Sequence, residues 1–218
     1  MFKNIITAAF ISPFLSLSNT TFATNNHDHT HHHEQSETTL KAAQGIFADS
    51  DIKNRTLADW QGTWQSIYSY LLDGSLDPVL HHKTDVNNTK TFDEYKDYYK
   101  KGYATEIEMI GIKDNTIDFH TKEATYTCEY HYSGFKILTY TSGNKGVRYL
   151  FECSDKQSTA PKYIQFSDHI IEPTQSHHYH LYMGNESHEA LLKEMDNWPT
   201  FYPLSWSKNK IVHEMLNH

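Results

Sequence analysis

The chain has 218 residues, with 27 acidic against 19 basic residues and a formal net charge of −8. That balance repels nucleic-acid phosphates and so excludes a general nucleic-acid binder, while the length is enough to bury one substantial core with a small helical appendage. Its 15 tyrosines and 11 phenylalanines fall largely in alternating runs, which weights the chain towards β structure.

Residues 1–23 read as a secretory signal peptide. Lys3 supplies the positive start, Ile5 to Leu17 an apolar run broken by Pro13, and Thr21-Phe22-Ala23 a small-x-small cleavage site. The apolar run is shorter than the roughly 20 residues a membrane span requires, and no later stretch comes close. The expectation is an exported protein without membrane insertion. Cleavage after Ala23 removes one lysine and no acid, taking the charge from −8 to −9. It leaves a flexible segment, 24–36, in which His27, His29, His31, His32 and His33 stand with Asp28 and Glu34. Such a tract is a compositional signal for metal binding, so these five histidines are auxiliary ligand candidates; a polar leader with incidental metal affinity is the competing reading.

Residues 37–218 form the remaining domain. Leu40, Ala43 and Phe47 at helical spacing predict a short amphipathic helix. Trp60 and Trp64 flank Gly62, and Thr91 with Glu94 forms a capping box for a helix carrying Phe92 and Tyr95 and closing at Lys100-Lys101-Gly102. From there to about residue 184 the period changes to two: Ile107 and Met109, Ile117 and Phe119 after an Asp114-Asn115 turn, then Tyr126, Cys128, Tyr130 and Tyr132 on one face. Ser133-Gly134 and Gly143 to Gly146 read as hairpin turns. Further strands carry Val147, Tyr149 and Phe151, then Ile164 and Phe166, then His178 and His180. A meander of this kind closes on itself, because an exposed edge invites aggregation. Asn185 or Ser187 starts a helix through Leu191, Leu192 and Met195, and Ser207 caps a last one bearing Ile211, Val212, Met215 and Leu216.

The most informative residues in this meander are His169, His178 and His180. On a strand, His178 and His180 project to one side and His177 and Tyr179 to the other. If the segment holding His169 pairs antiparallel through a turn at Pro173 to Gln175, His169 falls opposite His178 or His180, whereas a slip by one residue puts it on the wrong face. Any one of these histidines alone reads better as a surface or core side chain. Three converging imidazoles form a site for a divalent metal, and imidazole is a common neutral zinc ligand. Nitrogen ligation also admits Cd2+, Ni2+ or Cu2+.

Cys128 and Cys153 are the only cysteines. In an exported protein an even pair implies a disulfide, and a loop of that size stabilises by about 3 to 4 kcal/mol in the chain-entropy model. A hairpin at Ser133-Gly134 would place a strand between them, beyond the reach of about 7 Å between bridged Cα atoms. The two arguments conflict, and the compartment decides for a bond.

Several stretches together resemble the ZinT (YodA) family of periplasmic zinc- and cadmium-binding proteins. They are KNRTLADWQGTW (53–64), KKGYATEIEMIGI (100–112), GNKGVRYLFEC (143–153), APKYIQFSDHII (160–171) and EMDNWP (194–199), and the likeness runs from about Leu40 to the C-terminus. Gly62-Thr63-Trp64 also resembles the Gly-x-Trp that opens lipocalin barrels. The resemblance implies a mainly β, lipocalin- or calycin-like antiparallel barrel with short N- and C-terminal helices. It implies metal ligation by His169, His178 and His180, a periplasmic location, and delivery of scarce zinc to the substrate-binding protein of a zinc ABC importer. Three neutral ligands leave a fourth position open, and that suits an exchangeable carrier. It suits a zinc hydrolase or hydratase as well, since zinc lowers the pKa of bound water to about 7. Against the enzyme, Asp168 should face away from His169 as a structural acceptor, and Glu172 lies in the turn. A carrier of apolar ligands is disfavoured because Gln165 and Ser167 share the metal face.

Overall fold

The structure, a computed structural model, describes residues 37–87, 89–140 and 142–217. The signal peptide and the histidine tract expected at the start of the chain lie outside the described residues. Eight antiparallel strands close into a barrel in chain order: β1 (Gly62–Ser66), β2 (Met109–Lys113), β3 (Thr116–His120), β4 (Thr125–Thr139), β5 (Lys145–Cys153), β6 (Tyr163–Ser167), β7 (Tyr179–Gly184) and β8 (Thr200–Pro203). The β8 strand seals the barrel against β1, with Trp64 opposite Pro203 and Ser66 opposite Phe201. Closure leaves no unpaired edge, as the meander required.

Alternation along each strand divides the barrel into two faces. Ile110 and Ile112, Ile117 and Phe119, Val147, Tyr149 and Phe151, Ile164 and Phe166, Tyr179 and Leu181, and Phe201 all join one buried cluster with Trp60 and Trp64. Rings fill the interior: Trp60 stacks on Phe166 at 4.6 Å and lies edge-on to Phe151 at 6.0 Å, while Tyr179 sits 4.8 Å from Trp64. The inside is therefore a packed core, and chemistry is left to the outer face and rim.

Two hairpin expectations resolve differently. Asp114 takes a positive φ of 55° in the β2–β3 turn, and Gly143, at φ 87°, closes the β4–β5 turn by donating to Tyr140 O at 2.8 Å. Ser133-Gly134 makes no turn. It is a bulge inside the long β4, where the register with β5 shifts between Tyr132 and Gly134 and Gly134 absorbs the irregularity at φ 104°. Correcting that point removes the conflict over the cysteines. With β4 and β5 adjacent, Cys128 and Cys153 lie 5.8 Å apart at Cα and form a disulfide.

The helices α1 (Glu37–Ala43), α2 (Tyr68–Leu72), α3 (Asp77–Asn87), α4 (Phe92–Tyr103), α5 (His188–Leu192) and α6 (Lys208–Leu216) flank the barrel. The Thr91 capping box forms as expected, with Glu94 N donating to Thr91 Oγ1 and Thr91 N to Glu94 Oε2. Ser207 likewise caps α6. Helix α1 stops before Phe47 because Gly45, at φ 76°, turns the chain, and Ile46 N returns to Lys41 O. Gly102 lies inside α4, where a side chain would collide with Trp198; close approach explains it better than capping does. Ser187 caps α5, which ends at Leu192 and leaves Met195 outside the helix. Helices α2 and α3 and strand β8 were not anticipated. A second cluster, including Ile67, Leu71, Leu80, Tyr95, Tyr103, Tyr202 and Ile211, seats α2, α3, α4 and α6 together with β8.

Candidate metal centre

Ligand atoms of His169, His178 and His180 all lie within 4.8 Å of one another. The ring centroids form a near-equilateral triangle, 5.9 Å from His169 to His178, 5.6 Å from His169 to His180 and 5.9 Å from His178 to His180. A tetrahedral zinc with Zn–N bonds of about 2.0–2.1 Å holds its nitrogens about 3.4 Å apart. Side-chain adjustment by roughly an ångström closes that gap, and exposed His169 is the ring best placed to move.

The local chain path explains the convergence. Tyr179 and Leu181 point into the barrel, so His180 points outward, opposite Ser167 on β6. His178 lies one residue before β7, buried, with its ring stacked 5.2 Å from Tyr202. Continued pairing in this register would set His169 opposite His178. The ladder instead ends at Ser167, and His169 takes a left-handed conformation at φ 63°. That geometry is uncommon for a residue with a Cβ and costs on the order of 1–3 kcal/mol, so something must hold it. The expected register is right, and the expected regular strand at His169 is not.

A buried arginine holds the loop. Arg55 Nη1 donates to Asp168 Oδ1 at 2.7 Å and to Ile170 O at 3.3 Å; Nη2 donates to Thr174 O at 3.1 Å, and Nε to Asp59 Oδ2 at 2.7 Å. Its guanidinium lies 4.1 Å above the Trp60 ring. Burial opposes this charge, but Asp168 and Asp59 outweigh it and hold the arginine above its ordinary pKa. Trp60 Nε1 occupies the other Asp168 oxygen at 3.1 Å. Lys53 N to Ile171 O and Ser176 N to Asp59 O, both 2.8 Å, complete the clamp. Asp168 is thus the structural acceptor expected of it, with both oxygens committed. Sequence reasoning gave Arg55 no role, since a single arginine beside polar residues carries no mark of burial.

Thr200 on β8 also escaped notice. Its Oγ1 donates to Trp198 O at 3.0 Å and lies 2.8 Å from His180 Nδ1. A hydroxyl has one proton; when the carbonyl takes it, Thr200 accepts from His180 Nδ1–H. In that arrangement the ring proton sits on Nδ1 and the ligand lone pair on Nε2. Such outer hydrogen bonds are the usual means of fixing a metal-binding imidazole. Cys128 and Cys153 stand apart from this centre in their disulfide.

An antiparallel eight-stranded barrel with a filled interior and three converging imidazoles at its rim defines a lipocalin-like protein with a metal-ligand constellation. The chain belongs to the ZinT (YodA) family of periplasmic lipocalin-like zinc-recruitment proteins, whose family profile matches residues 38–218. This family recruits zinc and is not a family of enzymes. The chain is 49% identical over 182 residues to the probable metal-binding protein YrpE of Bacillus subtilis, covering 84% of this chain and 72% of that one. It is 46% identical over 185 residues to the zinc-binding lipoprotein AdcA of Streptococcus pneumoniae, of which it spans 37%. The crystal structure of the Zn(II)-bound ZinT-like domain of S. pneumoniae AdcA superposes with a TM-score of 0.78, covering 80% of this chain and 97% of that domain. Among the described residues no helix is long and apolar enough to cross a membrane.

Proposed function

We propose that this chain captures zinc through His169, His178 and His180 in the periplasm and assists its delivery to the substrate-binding protein of a zinc ABC importer. The observation that carries the reading is the clustering of the three ligand atoms within 4.8 Å, two rings on one outer face and the third on a clamped loop. Three imidazoles leave one coordination position for an exchangeable ligand, which suits uptake and release. Cd2+, Ni2+ and Cu2+ are accepted by the same nitrogens, as ligand type alone does not discriminate among them. Residues 1–23 direct export and are removed, and His27, His29, His31, His32 and His33 then act as an auxiliary capture arm ahead of the domain at 37–218.

Metal analysis and calorimetry on untagged protein test this directly. One equivalent of zinc is expected at the principal site. His178→Ala lowers its affinity by about 100-fold or more, since two imidazoles rarely hold zinc alone, and far more than deletion of residues 24–34 does. Equal affinities for wild type and His178→Ala would move the site elsewhere. Protons compete for imidazole nitrogen, so zinc affinity should fall as pH drops through roughly 6.5. A titration flat from pH 7.5 to 5.5 would argue for ligands other than histidine.

A further inference from the structure

A cavity of about 290 Å³ opens onto His169 and His180 and is otherwise walled mainly by apolar and aromatic side chains. We infer that it is a co-ligand pocket, in which a free α-amino acid with an apolar or aromatic side chain binds the captured metal through its amino and carboxylate groups. This rests on the zinc reading of the three histidines and specifies what occupies the remaining coordination sphere.

The walls are held in place by polar contacts behind them. Phe47 is fixed by Lys145, whose Nζ donates to Phe47 O at 2.8 Å and to Asp49 Oδ1 at 2.7 Å, while Lys145 N donates to Gly45 O at 2.9 Å. Ile170 and Ile171 belong to the loop that Arg55 and Lys53 clamp. Met195 and Trp198 follow α5, where buried Arg148 donates to Leu191 O at 2.5 Å and to Glu194 O at 2.6 Å. Asn197 Nδ2 then ties this segment to the carbonyls of Lys101, Gly102 and Ala104. Small-molecule sites are pre-formed, mostly apolar concavities with a few polar groups, commonly about 300–1,000 Å³. This one sits at the small end, where an amino acid fits.

Charge points the same way. Three neutral imidazoles leave a bound dication at +2, so an anionic donor is favoured in the open position. No aspartate or glutamate is among the described residues lining the cavity, and its one ammonium, on Lys145, is held by Asp49. Among the described lining residues no carboxylate supplies that anion, so it is assigned to the ligand. Zinc expands to five-coordination when a second donor arrives, which admits a chelating amino carboxylate. At the rim Tyr98, Tyr140 and Met195 are 46%, 43% and 47% exposed, and large apolar side chains grouped in this way mark a binding surface.

The test begins with the full chain loaded to a measured stoichiometry with zinc, then titrated by calorimetry with L-phenylalanine, glycine, N-acetylphenylalanine and acetate. Glycine keeps the chelating head without the ring; N-acetylphenylalanine keeps ring and carboxylate without the amine. Phenylalanine is expected to bind at least tenfold more tightly than the other three, and only to the loaded chain. In Tyr98→Ala/Met195→Ser that preference over glycine should collapse while zinc affinity stays within twofold. With cobalt(II) in place of zinc, phenylalanine should shift the d–d absorption, showing coordination of the metal. Equal binding of phenylalanine and glycine, binding without metal, or an unchanged preference in the double variant would each overturn the pocket and leave zinc capture standing. A chain that fails to hold zinc at the three histidines would overturn both.

Discussion

The hairpins β4–β5 and β6–β7 solve the same folding problem by different means. Between β4 and β5 the backbone ladder runs from Tyr130 opposite Cys153 to Thr139 opposite Lys145, and the Cys128–Cys153 disulfide adds a covalent tie. Between β6 and β7 pairing stops at Ser167 opposite His180, and the chain beyond is held chiefly by buried side chains: Arg55 donates to Asp168, Ile170 and Thr174, and Trp60 donates to Asp168. Regular pairing would hold His169 in a strand. Handing the loop to an arginine lets it leave the strand and turn its imidazole towards the other two.

The largest expected effect therefore follows from removing that arginine. Arg55→Ala strands the buried Asp168 carboxylate without its cation, and breaking a buried ion pair in this way costs about 3–5 kcal/mol. Denaturant titration should show the loss, and zinc affinity should fall with it as the loop is released. Arg55→Lys is expected to recover only part of either, because an ammonium cannot span Asp59, Asp168 and two carbonyls as the planar fork does. Wild-type stability in Arg55→Ala would mean that the Trp60 bond to Asp168 and the backbone contacts suffice to hold the loop.

The disulfide sharpens the contrast from the other side. Cys128→Ser/Cys153→Ser opens a loop with a sequence separation of 25, for which the chain-entropy estimate is about 3.5 kcal/mol. Stability should drop by that order while zinc affinity changes less than threefold, since the bond braces strands remote in sequence from the histidines. A parallel loss of zinc binding would show that the two hairpins are coupled through the barrel.

The features that sequence made legible are those with a local signature. Period-two alternation exposed most of the strands, though in β2 the buried face is Ile110 and Ile112 and not that of Ile107 and Met109; the Thr91 and Ser207 caps exposed two helix starts, and His178-x-His180 exposed the outward pair. Where the reading failed, a glycine had two physical meanings: Gly134 serves a bulge, not a turn, and Gly102 admits Trp198, not a helix end. Helices α2 and α3 depend on burial against α4, α6 and β8 more than on their own pattern. The supports of the site were illegible for a related reason. Arg55 and Thr200 act on residues 113 and 20 positions away in sequence, respectively, and no local spacing records such contacts.

Thr200 provides the smallest and most specific test of how the rim differs from the braced hairpin. Its hydroxyl lies 3.0 Å from Trp198 O and 2.8 Å from His180 Nδ1, placed to donate to the carbonyl and accept from Nδ1–H, which would keep the proton off Nε2. Thr200→Val preserves the side-chain shape on β8 and removes the acceptor. Stability should change by about 1–2 kcal/mol, in line with the loss of two ordinary hydrogen bonds, whereas zinc affinity should fall about 10- to 100-fold, the usual effect of deleting an outer partner of a metal-binding imidazole. Thr200→Ser, which restores the hydroxyl, should recover most of the affinity. Long-range nitrogen–proton NMR of the metal-free protein supplies a readout that a purely structural role would not move: His180 should be the Nδ1–H tautomer in wild type and Thr200→Ser, and a mixture in Thr200→Val. If His180 keeps one tautomer in all three proteins, the hydroxyl is packing against the ring and the control of Nε2 lies elsewhere.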